Sequence, residues 1–123
     1  MGFFKSLMSV ISTDGKTGTP FKLDKNHTVY YKGNGVSALD AAHVAGFFKG
    51  YGYFTDTNQS DIQISSNKVP EAVQVGYIIG GTTVSPESET FFKNAGVGLQ
   101  DIFPGRVITF HLLDTNLKQL KTL

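Results

Sequence analysis

The chain has no cysteine, no tryptophan and only four prolines in 123 residues. Without cysteine there are no disulfides, thiolate metal sites or cysteine nucleophiles. Charge is also sparse. Charged residues are 17% of the chain, below the quarter or so typical of globular domains. The eleven basic residues are offset by ten acidic ones and scattered among them, so no basic stripe exists to follow a phosphate backbone. No run of 18 apolar residues is long enough to cross a bilayer. Residues 1–11 carry one lysine, and Lys5, Ser6 and Ser9 interrupt their apolar character, with no small-residue cleavage site after them. A secretory signal is therefore not expected. Together these absences lead to the expectation of a cytoplasmic protein that takes no cofactor, no metal and no nucleic acid.

What is present is apolar patterning over most of the chain. Phe3, Phe4, Leu7, Met8 and Ile11 fall at i, i+1, i+4, i+5 and i+8, one stripe of a helix of about three turns. Residues 13–20 are polar and glycine-rich and read as a linker. Residues 1–20 thus read as an appendage, a helix and its tether, with the compact domain covering 21–123. Inside it, residues 27–32 alternate as a strand. Gly33 and Gly35 follow and read as sources of positive φ in a tight turn. Ser37 with Asp40 forms a capping box for a helix that buries Leu39, Ala41, Ala42, Ala45 and Phe48. Residues 61–66 and 72–79 alternate as two strands joined by a turn. Ser85, Pro86 and Glu87 start a second helix with Phe91, Phe92, Ala95, Leu99 and Ile102 along one side. Residues 106–113 form a last strand, and Leu117, Leu120 and Lys121 of the tail lie at helical spacing.

Strand, helix, strand, strand, helix, strand is the split-βαβ order. It predicts a four-stranded antiparallel sheet with both helices on one face and the first and third strands at its centre. The strand alternation leaves Thr28, Tyr30, Gln63, Ser65, Gln74, Gly76, Ile78, Thr109 and His111 on the uncovered face.

Few residues carry chemistry. Gly33, Gly35 and Ala38 stand between a strand and a helix, as in a dinucleotide-binding turn, but no acid ends the following strand to meet a ribose. The only histidines, His27, His43 and His111, share no local ligand spacing. Glu87 and Glu89 are accounted for by the helix N-terminus beside them. Met1, Gly2 and Ser6 match a myristoylation pattern, and the stripe of residues 1–11 leaves peripheral membrane contact as a minor possibility.

The element order resembles the ferredoxin-like plait, a fold that hosts many unrelated functions. Valine and tyrosines at 29–31, residues 41–54 with their Gly52, Tyr53, Phe54 ending, and residues 103–114 with Gly105 and Arg106 resemble uncharacterised bacterial modules of this size. That resemblance implies a module with no assigned activity. The expectation is a non-catalytic interaction module, paired as a homodimer or with a protein partner. Its contact residues are Phe3, Phe4, Leu7, Met8 and Ile11 on the helix, with Tyr30, Ile78 and His111 on the sheet. A small-molecule sensor and a small enzyme with no recognisable motif are the alternatives.

Overall fold

The computed structural model describes residues 18–33, 35–54, 60–66, 72–81 and 83–123. Along the chain run β1 (Thr19–Asp24), β2 (His27–Lys32), α1 (Ala38–Tyr51), β3 (Ser60–Ser65), β4 (Ala72–Ile78), α2 (Pro86–Leu99), β5 (Val107–Leu113) and β6 (Gln119–Thr122).

Both helices begin where side chains satisfy the first free amides. Ser37 Oγ accepts from the Asp40 amide at 3.2 Å, and the Asp40 carboxylate accepts from the Ser37 amide at 2.9 Å, a reciprocal cap. α1 then buries Ala41, Val44, Ala45 and Phe48, a stripe at i, i+3, i+4 and i+7. Leu39 lies off that stripe and is 64% exposed, which corrects its expected burial. Gly52 closes the helix at φ 91°. α2 starts with the Ser85 hydroxyl accepting from the Ser88 amide and with Pro86 in its first turn, a position where the missing N–H costs nothing.

The six described strands lie in one sheet in chain order. β1 with β2, β3 with β4 and β5 with β6 are antiparallel, whereas β2 with β3 and β4 with β5 are parallel. This corrects the four-stranded antiparallel ferredoxin-like plait. That plait requires β4 to lie between β2 and β3. Here Val29 of β2 pairs directly with Ile62 of β3, and the centre of the sheet is β3 beside β4. Two strands also lie where none was expected. β1 begins at Thr19, inside the stretch read as a linker, and β6 occupies the tail read as helical. The protein remains a small α+β domain.

Tyr77 of β4 shows where the helices sit. Its ring stacks on Phe92 of α2 at 4.1 Å between centroids and meets Phe48 of α1 edge-on at 5.7 Å. Its hydroxyl donates to the Phe92 carbonyl at 3.3 Å. Burial raises that phenol well above its ordinary pKa, so it stays a donor. Both helices therefore cover the same face. β2 to β3 and β4 to β5 step the same way across the sheet, yet the two pairs run in opposite directions. Helices on a shared face then make the two crossovers of opposite hand. About 98% of such crossovers are right-handed, so one of these two has the rare hand.

The core lies between sheet and helices. Val29, Ile62, Ile64, Val73, Val75 and Tyr77 contribute from the strands, with Phe48, Ala45, Ala95 and Leu99 from the helices. β6 is tied to this layer through Lys121, whose ammonium lies 2.6 Å from Glu89 of α2. Tyr77→Ala is expected to cost about 3 to 5 kcal/mol of stability. Tyr77→Phe, which removes only the hydroxyl, should cost about 1 kcal/mol. Urea denaturation of both variants checks this ordering.

Candidate functional site

Strand residues two apart share a face, so the face turned away from α1 and α2 is set by the register. Tyr30, Gln63, Gly76 and His111 align in one row across β2 to β5. Thr28, Asp61, Ile78 and Leu113 form the row to one side of it, and Lys32, Ser65, Gln74 and Thr109 the row to the other. Val107 of β5 continues this face and is 65% exposed. The structure thus brings together Tyr30, Ile78 and His111, the three sheet residues singled out from sequence. Phe3, Phe4, Leu7, Met8 and Ile11 lie outside the described residues.

A hollow of about 180 Å³ opens on this face. Its floor is Gly76 with Leu113 leaning over it; a Cβ at position 76 would overlap the leucine Cδ1. Gln63, Ser65 and Gln74 supply polar groups, and Lys32 is the one fully cationic residue of the lining. Leu117 and Gln119, from the β5–β6 connection and β6, complete the wall. That connection is built on Asp114. One carboxylate oxygen accepts from the amides of Asn116 at 2.8 Å and Lys118 at 2.9 Å, and the Asp114 carbonyl accepts from the Leu117 amide at 2.9 Å. The turn holds Leu117 at φ 67°, a left-handed conformation that costs a branched residue of its kind about 1 to 2 kcal/mol.

His111 stands at the hollow with both ring nitrogens engaged. Nδ1 lies 3.2 Å from Thr122 Oγ1 and Nε2 lies 3.4 Å from Thr109 Oγ1. Burial lowers its pKa, so the ring is neutral near pH 7. Held by two hydroxyls, it serves as a wall of the hollow. The other histidines are elsewhere. His27 is buried on the helix side, stacked on Phe54 at 4.8 Å, with the Asp24 carboxylate oxygens 2.8 and 2.9 Å from Nδ1. His43 is exposed on α1. Among the described residues no three His, Asp or Glu side chains are grouped to hold a metal. No described helix is long and apolar enough to cross a membrane.

The turn after β2 differs in part from its sequence reading. Gly33 has φ 95°, as expected. Gly35 does not have positive φ; its missing side chain makes room for Ser66, which its Cβ would overlap. Its amide donates to the Ser66 carbonyl at 3.1 Å, and its carbonyl accepts from Arg106 Nη2 at 2.7 Å. The turn is closed by packing against β3 and the start of β5.

Sequence reasoning passed over Lys32, Asp61, Leu113, Leu117 and Gln119 as members of this face or its rim. The same two-residue alternation that selected Tyr30 and His111 also selects Lys32 and Leu113. Nothing local marks Leu117 and Gln119, which lie in a tail whose Leu117, Leu120 and Lys121 are at helical spacing. Comparison with family models, curated proteins and solved structures finds no match.

Asp61 is the acid of this face. Burial raises its carboxyl pKa, opposed by the Thr28 amide, which donates to Oδ1 at 3.2 Å, and by the charge of Lys22. An acid whose folded pKa lies above its unfolded value destabilises the fold once pH rises past the unfolded value. Asp61→Asn keeps an acceptor for Thr28 and removes that penalty. It should raise the urea midpoint at pH 7 and leave it unchanged at pH 3, where both side chains are neutral.

Proposed function

We propose that this protein is a non-catalytic module that pairs with a second copy of itself through the face of its sheet turned away from α1 and α2. The observation that carries this reading is the placement of both helices on one side, which leaves a six-stranded face bearing Tyr30, Ile78 and the exposed Val107. Strands about 4.8 Å apart and about 3.3 Å per residue make it roughly 29 by 20 Å. With the relief of its side chains, that approaches the 800 Å² or so that each partner buries in a standard interface.

The engaged nitrogens of His111 and the lack of a carboxylate in the hollow favour binding over acid–base chemistry. The apolar residues Phe3, Phe4, Leu7, Met8 and Ile11 are proposed as a second contact surface. Light scattering on the full chain should give twice the 13.3 kDa of one copy. Val107→Asp with Ile78→Lys should halve that mass while the far-UV circular dichroism stays that of the folded wild type. A monomeric wild type overturns the reading.

A further inference from the structure

We propose that the hollow above Gly76 is a binding site for a small monocarboxylate with a short apolar chain. This does not rest on the pairing of two copies. At about 30 Å³ per water, 180 Å³ corresponds to roughly six waters, the bulk of a carboxylate carrying three or four carbons. The chemistry of the lining is graded. Leu113 and Leu117 make one end apolar, whereas Lys32 and Ser65 of the opposite row bring a cation and a hydroxyl to the other. Gln74 of that row and Gln63 of the central row offer amide donors. The lining has no Asp or Glu, so an anion meets no repulsion from it and a cationic ligand finds no counter-charge.

The hollow is also built in advance. Leu113 packs directly onto Gly76, where a Cβ would overlap its Cδ1, and this close approach fixes one side of the floor. Leu117 is held at the rim in a left-handed conformation by a turn anchored on Asp114. Backbone strain of that kind gathers at ligand sites, where the surroundings over-determine it. A rigid rim lowers the ordering cost of binding.

Sodium butyrate is the probe. It is titrated at constant ionic strength into the full chain labelled with nitrogen-15, and amide shifts are followed. Saturable shifts at the amides of Ser65, Gly76, Leu113 and Leu117 are expected in the millimolar range. Butyramide, the uncharged isostere, should bind at least tenfold more weakly. Lys32→Gln should weaken butyrate at least tenfold and leave the spectrum otherwise intact. Should that variant fail to fold, Leu117→Asp, which sets an anion on the rim, should abolish the butyrate shifts. Butyramide binding as tightly as butyrate, shifts spread over surface lysines, or a folded variant of either kind with undiminished affinity overturns the site. A monomer that still binds butyrate leaves this site standing and overturns only the pairing of copies.

Discussion

The packing of Tyr77 between Phe48 and Phe92 is the contact on which the rest of the molecule depends. One strand residue receives a ring from each helix, so the helices cannot part to opposite faces. A doubly covered sheet would need apolar residues on both sides of every strand. This one alternates instead, with Val73, Val75 and Tyr77 under the helices and Gln74, Gly76 and Ile78 away from them. The open face, and with it any binding role, follows from where that aromatic cluster draws α1 and α2.

How much of this could be read from the residues depends on the range of the interactions involved. Caps act over three residues, and Ser37 with Asp40 and Ser85 with Pro86 marked both helix starts. Alternation acts over two, and it assigned nine residues to the uncovered face in agreement with the observed register. Strand order is set by pairs far apart in sequence, such as Val29 with Ile62, and no local pattern encodes it. The split-βαβ element order pointed to the interleaved plait, whereas the observed order gives one of its two crossovers the rare left hand.

The edge strands escaped for a related reason. β1 offers only Phe21, Lys22 and Leu23 as alternation, after glycines and a proline that suggest a linker. It is a strand because Thr19 to Lys22 pair with the residues of β2. β6 has four residues, and Leu117, Leu120 and Lys121 of this tail fall at helical spacing. Its pairing with β5 and the Lys121–Glu89 contact override that local preference. In the site, parity reached the floor, whereas the wall belonged to the element whose type was misread.

Among the described strands, chain order leaves β1 and β6 outermost on opposite flanks, running in opposite directions. A margin of one molecule could in principle zip onto the opposite margin of the next, and such head-to-tail growth has no built-in end. The margins are blunted against this. Pro20 withholds an N–H, and Lys22 sits beside a bulge in β1; β6 is short and irregular against β5, with Lys121 drawn toward α2. These are the devices that keep exposed strands from templating fibres. They direct any self-association of this fold toward closed assemblies that stack sheets, and away from endless ribbons that extend them.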